Sequence, residues 1–399
     1  MWEPMPPQRG AQASLRRTAA MTRRPSRLRR MGAGVAAWAL LAALPARAAD
    51  DETCAADGSC SPQWEPKTLS VVLPCANEGR FVEATVKAVS DSVPGGGGGS
   101  ILAEIVVVDD GSRPAVSKSL SKELLERLGV KIVRHERPQG LIRAKSAGAK
   151  VTTGDVLVFF DCHVAPQPGW HTAFLEAMRA SYRRIVVPSI TDLDIDTWTQ
   201  TRKTNAVSSC YLTWDADFKW YRSAGEHIPI LSGGLLGISR RWWTETGGYD
   251  DRMETWGGEN IDQSFRIWLC GGRIEVAEGA YVAHMWRDPG NPKTQLKYPM
   301  PTEAVMRNKA RAVSAWMQEF KAKPLSFPEY EDIVSGQRPL GDMSAFDRLR
   351  EKLQCAPFSH YIQRFDYVYV DTGLIPPEVF QLREASTGLC LERSPRQRQ

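Results

Sequence analysis

From Leu69 onward, short continuous apolar runs alternate with segments whose apolar residues recur at helical spacing. The runs "LSVVLP", "AEIVVVDDGS", "VKIVRH" and "DVLVFFD" have the length and β-branched content of buried parallel strands. Between them, Glu83 to Val93, Ser117 to Leu128 and "GLIRAKSAGAKVTTG", ending near Gly154, read as helices. Pro94 and the Gly95–Gly99 run close the first of these. Strand and helix in alternation predict an α/β fold, with a mostly parallel central sheet flanked by helices on both faces.

The second half is less regular. "SGGLLGISRRWWTETGGY" reads as a glycine turn, a short strand and a helix. "NIDQSFRIWLCGG" reads as an amphipathic helix, with Ile261, Phe265 and Trp268 on one face and glycine beyond its end. "RIEVAEGAYVAHMWRD" holds one or two strands, and helices near Glu303 to Phe320 and Phe346 to Cys355 finish the body. No internal repeat is visible.

The chain has 399 residues, 42% hydrophobic and 24% charged, as in globular proteins. Its net charge of +5 is concentrated at the ends, in the arginines from Arg16 to Arg30 and in Arg393, Arg396 and Arg398. No basic stripe lies between them, which argues against a nucleic-acid partner. The apolar run Met31 to Leu44 suits a signal-peptide core and is short for a membrane span. Ala46-Arg47-Ala48 fits a cleavage site, whereas the long basic leader fits an uncleaved membrane anchor. Both deliver the body to the secretory lumen, where the eight cysteines meet oxidising conditions. The expected organisation is a signal peptide or anchor at 1–49, a stem at 50–66, one α/β domain at 67–372 and a tail at 373–399.

Candidate chemistry sits at strand ends, because ligands of open α/β sheets bind outside the carboxyl ends of the strands. "VVLPCANE" delivers Asn77 and Glu78, "IVVVDDGS" delivers Asp109 and Asp110, and "VLVFFDCH" delivers Asp161 and His163. Asp109 and Asp110 suit hydrogen bonds to a nucleotide or capping of the next helix. Asp161 and His163 lie two apart and face the same way if the chain stays extended, so they suit one divalent cation. His284 in "VAHMWRD" is a candidate third ligand or, on spacing alone, a satisfied structural histidine, and Arg287 beside it suits phosphate oxygens. "METWGGENIDQSF" places Glu259 and Asn260 after two glycines at a helix start, fit for capping or for holding sugar hydroxyls, and Trp256 before them, fit for stacking on a sugar or packing in the core.

These segments carry a resemblance. "DVLVFFDCH", "SGGLLGIS", "GGYDDRMETWGGENIDQSFRIWLCGG" and "VAHMWR" resemble the polypeptide N-acetylgalactosaminyltransferases, Golgi enzymes of the GT-A (Rossmann-like) fold that start mucin-type O-glycans. "GLIRAK", "NKARAVSAWMQEFK" and "REKLQCAPFSHY" extend it, so that it covers roughly Pro66 to Tyr369. The resemblance implies a manganese ion held by Asp161, His163 and His284, and a UDP-GalNAc donor whose diphosphate it bridges. It implies uridine contacts near Asp109 and Asp110, with Arg143 beside the nucleotide. Gly233, Gly234, Glu259 and Asn260 would line the sugar pocket, Trp256 would belong to the flap over the donor, and Arg287 would reach the diphosphate. The implied acceptor is a Ser or Thr hydroxyl of a polypeptide, glycosylated with retention.

The chain also departs from that pattern. Cys75-Ala76-Asn77-Glu78 stands where the family has F-H-N-E, Val164-Ala165 replaces C-E after the metal histidine, and the loop "DPGNPKTQLKYP" matches poorly. By resemblance, one family disulfide joins Cys270 to Cys355, and another lacks its cysteine near Gly279. The tail "QLREASTGLCLE" resembles the first strands of a ricin-like lectin module and is expected to be truncated, with Cys390 unpaired. Two alternatives stay open: an inverting transferase with another UDP-sugar and acceptor, and a UDP- or carbohydrate-binding protein without catalysis.

Overall fold

The segment Leu69–Cys75 (β1) is buried along its whole length, as a central parallel strand with helices on both faces must be. The computed structural model describes residues 64–95, 101–222, 227–296 and 298–376. After β1 come α1 (Phe81–Asp91), β2 (Leu102–Asp110), α2 (Lys122–Leu128), β3 (Val130–His135), α3 (Leu141–Lys150) and β4 (Val156–Phe159). Then follow β5 (Val164–Pro166), α4 (Trp170–Arg179), β6 (Arg184–Asp194), β7 (Thr199–Val207), β8 (Cys210–Leu212), β9 (Phe218–Trp220) and β10 (Leu236–Ser239). The chain continues through α5 (Arg240–Glu245), α6 (Glu259–Leu269), β11 (Arg273–His284) and α7 (Thr302–Trp316). Short helices α8 (Ala322–Leu325), α9 (Glu331–Val334), α10 (Ser344–Leu353), α11 (Phe358–Arg364) and α12 (Asp366–Asp371) complete it.

The main sheet runs β3-β2-β1-β4-β10-β6-β11-β5, with β7 on β6. β1 to β4 are mutually parallel, and β6 and β11 run the same way; β10, β5 and β7 run against them. The period of two divides the core. Val71, Leu73, Ile105, Val107, Val156, Val158 and Phe160 join one buried cluster, which contains side chains of α1, α2 and α4. Val72, Val106, Val108, Leu157 and Phe159 join the other, with side chains of α3, α6, α7 and α11. Among the described residues no helix is long and apolar enough to cross a membrane. The predicted leader, the stem up to residue 63 and nearly all of the tail, with Cys54, Cys60 and Cys390, lie outside the described residues.

Several expected elements differ in detail. The predicted helix from Ser117 splits into a short 3-10 turn, Val116–Lys118, and α2, because the Ser121 hydroxyl accepts the Leu124 amide and starts a new helix. α3 stops at Lys150 rather than near Gly154, since the Thr153 amide and hydroxyl both turn to Glu104. α6 has the expected apolar face, but its polar face is covered as well: every residue of it is buried. Its polar side chains are paired internally, Arg266 with Asp262 and with the Thr246 and Gly248 carbonyls, and Asp262 with the Trp316 indole. "RIEVAEGAYVAH" is one strand with a register shift between Val276 and Tyr281. The segment from β5 to β9 is not legible as strand or helix in the sequence; it supplies the edge strand β5, the interior strand β6 with β7 paired to it, helix α4, and the separate β8–β9 pair.

α3 approaches the sheet closely because Gly148 has no side chain; a Cβ there would lie 2.3 Å from Val72 Cγ1 and 2.9 Å from Val108 Cγ2. Gly148→Ala therefore overpacks the core, with an expected loss of about 1–3 kcal/mol. Chemical denaturation compared with wild type checks this; an unchanged midpoint would contradict the close packing.

Candidate metal and nucleotide-sugar site

β4 ends at Phe159, and the chain then bends through Asp161-Cys162-His163 before β5 begins at Val164. Strict extension does not persist as the sequence pattern requires, yet the two side chains still converge. His284, the last residue of β11, pairs in register with Val164 and completes the cluster. One donor atom from each of Asp161, His163 and His284 lies within 4.8 Å of the others. His284 Nε2 is 3.1 Å from Asp161 Oδ2, and the two imidazole rings meet edge to face at 5.0 Å.

The protonation states suit a cation. Burial opposes ionisation of Asp161, but the His284 hydrogen bond and the charges of His163 and Lys145 outweigh it, holding the carboxyl below its usual range. Burial pushes the His284 imidazole down, towards its neutral, ligating form. His284 Nδ1 has no hydrogen-bond partner among the described residues. His163 Nδ1 lies 3.3 Å from Glu78 Oε1. With a proton shared towards that carboxylate, Nε2 presents its lone pair, the usual second-layer device of a metal-bound histidine. A mixed nitrogen and oxygen donor set fits a borderline-hard divalent ion such as Mn2+.

Arg287 donates to Glu78, and Nη2 lies 3.3 Å from His163 Nδ1. The β1 strand end thus supplies a buried carboxylate that holds both a candidate ligand and the candidate phosphate arginine. Glu78 is kept ionised against burial by His163 and Arg287.

The opposite wall comes from the glycine turn and the start of α6. A Cβ on Gly234 would lie 2.8 Å from Asp161 Oδ2, and one on Gly233 3.1 Å from Asn260 Cβ and 3.7 Å from Glu259 Oε1. Only glycine permits this approach of turn backbone to carboxylate. Asn260 Nδ2 donates to the Leu231 carbonyl at 2.9 Å, fixing the turn. Glu259 is buried, its Oε2 has no partner among the described residues, and burial raises its pKa against the pull of Lys145. The Trp256 segment is tied to its surroundings: Asn308 bonds the Glu254 amide and carbonyl, and the Ile142 amide donates to Thr255 O.

The aspartates of β2 serve the chain itself. Asp109 accepts from the Ser112 and Val116 amides and from Arg134. Asp110 accepts from the Gln139 and Gly140 amides and contacts His135 Nδ1 at 2.7 Å. The backbone engages both oxygens of each, so these carboxylates fix the loops that follow β2 and precede α3. Arg143 is exposed, donates to Gln139, and lines an open groove with Arg134, His135 and Arg137.

Two residues escaped the sequence reading. Lys145 is fully buried and donates to the Gly233 carbonyl. Burial lowers its pKa, while Asp161 and Glu259 oppose that shift. Its signal was available: Ile142, Lys145 and Ala149 share the apolar face of α3, and a lysine there requires anionic company. Tyr298, the sole aromatic of the poorly matching loop, has its phenol pushed up to about 12 by burial, against the lowering effect of Arg287 and with Asp161, Glu78 and Glu259 also raising it.

The sheet and this cluster at its carboxyl edge define a GT-A-type glycosyltransferase domain. Residues 70–246 match the family model described as glycosyl transferase family 2, and 223–287 match the N-terminal domain of galactosyltransferase. The chain is 31% identical over 346 residues to polypeptide N-acetylgalactosaminyltransferase 3 of Mus musculus, covering 82% of this chain and 53% of that one. It is 32% identical over 318 residues to polypeptide N-acetylgalactosaminyltransferase 13 of Homo sapiens, covering 74% of this chain and 54% of that one. The crystal structure of GalNAc-T7 with UDP, GalNAc and Mn2+ superposes with a TM-score of 0.64 at 27% identity, covering 82% of this chain and 62% of that one. The chain belongs to the polypeptide N-acetylgalactosaminyltransferase family, and it spans about half the length of the relatives it matches.

Gly234→Ala forces a methyl group against Asp161 while leaving every ligand in place. The expected result is a folded protein with Mn2+ affinity lowered about 10-fold or more, read by electron paramagnetic resonance titration. Unchanged affinity would contradict the contact.

Proposed function

We propose that this protein is a Mn2+-dependent retaining glycosyltransferase that moves GalNAc from UDP-GalNAc to a Ser or Thr hydroxyl of a polypeptide. The observation that carries the reading is the Asp161, His163 and His284 cluster beside Gly234, at the edge where this fold takes its ligands. The structural relative with UDP, GalNAc and Mn2+ supports the donor and the ion.

Asp161, His163 and His284 would hold the ion, which when bound supplies positive charge against the departing diphosphate. Arg287, already poised by Glu78, adds a second cation on the same leaving group. Gly233 and Gly234 admit the sugar ring close to the backbone, and the unpartnered Glu259 Oε2 accepts from a sugar hydroxyl. Asn260 maintains the turn, and Trp256 and Tyr298 close over the donor and exclude water. Arg143 meets the nucleotide from the α3 side, while Asp109 and Asp110 shape that wall through the loops they hold.

In the transfer, the bond from the anomeric carbon to the diphosphate oxygen breaks and one from the acceptor oxygen forms on the same face. The hydroxyl proton passes to a diphosphate oxygen, so no side-chain base is required. Two disulfides among the described residues favour an oxidising compartment. The proposed setting is accordingly the secretory lumen, at the Golgi, with 1–49 as signal peptide or anchor.

The test is UDP release from UDP-GalNAc with Mn2+ and a Ser/Thr peptide library. Asp161→Ala and His284→Ala are each expected to lower turnover about 100-fold or more. Nuclear magnetic resonance of the product should give the α-anomer. A β-linked product, or full activity in either variant, would overturn the reading; activity confined to another UDP-sugar would correct the donor.

A further inference from the structure

Backbone pairing between β1 and β4 runs from Leu69↔Val156 to Val72↔Phe159 and then stops. Its last hydrogen bond joins the Phe160 amide to Val72 O at 3.1 Å. Beyond that point the two strand ends carry the site: Asp161 and His163 on one, Glu78 on the other. A disulfide bridges the gap. Cys75 and Cys162 are separated by 87 residues in sequence, the same offset that relates Leu69 to Val156 and Val72 to Phe159. The sulfurs thus continue the strand register where hydrogen bonds have ended.

Position matters as much as register. Cys162 stands between two candidate metal ligands, and its side chain joins the buried cluster on the α1 and α4 face together with Cys75. Asp161 points the other way, against Gly234. Fixing the Cα atoms of Cys75 and Cys162 at 5.4 Å therefore pins the backbone from which Asp161 and His163 diverge. On the β1 side, the same bridge anchors the turn through Asn77, at φ +58°, to Glu78. Glu78 then meets His163 across the bridge, 3.3 Å from its Nδ1. Both cysteines are about 1% exposed, so the bond lies inside the fold rather than on a reactive surface.

We infer that the Cys75–Cys162 disulfide is a positioning element of the metal site, holding the Asp161–His163 segment and the Glu78 turn in the arrangement a divalent cation needs. The inference rests on the metal reading above, and its test includes a metal-free measurement so that the two fail separately. Cys75→Ala/Cys162→Ala is compared with Cys270→Ala/Cys355→Ala, which removes the other described disulfide, and with wild type.

Without added metal, amide hydrogen exchange across residues 160–164 should accelerate in the first double variant and stay at the wild-type rate in the second. With Mn2+ added, the first should bind about 10- to 100-fold more weakly, while the second keeps wild-type affinity even if its melting temperature falls. Should Cys75→Ala/Cys162→Ala fail to fold, Cys75→Val/Cys162→Ala restores part of the buried volume and takes its place. Unchanged exchange at 160–164, or equal weakening in both double variants, would overturn the inference. Faster exchange without Asp161-dependent Mn2+ binding in wild type would support the positioning and strike the metal reading instead.

Discussion

The contact on which the site depends is the one between Asp161 and His284, 3.1 Å apart in space and 123 residues apart in sequence. Two strand ends must stop at the same level for it to exist. β4 is placed by its parallel pairing with β1, and β11 by its parallel pairing with β6; β10 runs antiparallel between β4 and β6 and sets their relative height. A shift of register by one residue in any of these ladders would turn side chains to the opposite face and separate the donors. The sheet is therefore the instrument that measures the metal site.

Burial gives the site its electrostatic character. Glu259 is a carboxylate removed from water and Asp161 a half-buried one, and Lys145 supplies the counter-charge to both from inside α3. Glu78 does the converse, lying between His163 and Arg287. Each charge has a partner of opposite sign, which is what allows ionised groups to persist away from solvent. Among the buried side-chain atoms without a partner in the described residues, Glu259 Oε2 belongs to the wall proposed to meet the sugar.

Much of this was legible from the sequence because the parallel strands write themselves as continuous apolar runs that end in polar residues. Asp161, His163 and His284 were found at such ends, and Cys270 pairs with Cys355 as the resemblance implied. The β2 aspartates were legible as important but not in role, since capping and ligand binding select the same residues at the same places; their two-oxygen engagement with backbone amides appears only in three dimensions. Lys145 was missed because helical periodicity reports which face is buried, not which charges will meet it. Within the β5 to β9 segment, β5, β8 and β9 are too short, at three residues each, to carry a periodic signal. The Cys75–Cys162 pair needed the register of β1 against β4, which no spacing along the chain reveals.

The central claim is that three side chains from two distant strand ends grip one manganese ion. A crystal of the protein grown with UDP and Mn2+, measured on both sides of the manganese absorption edge, tests it most directly. The account predicts a single anomalous peak bounded by Asp161, His163 and His284. A peak elsewhere, or no peak with His284 still bonded to Asp161, would contradict it.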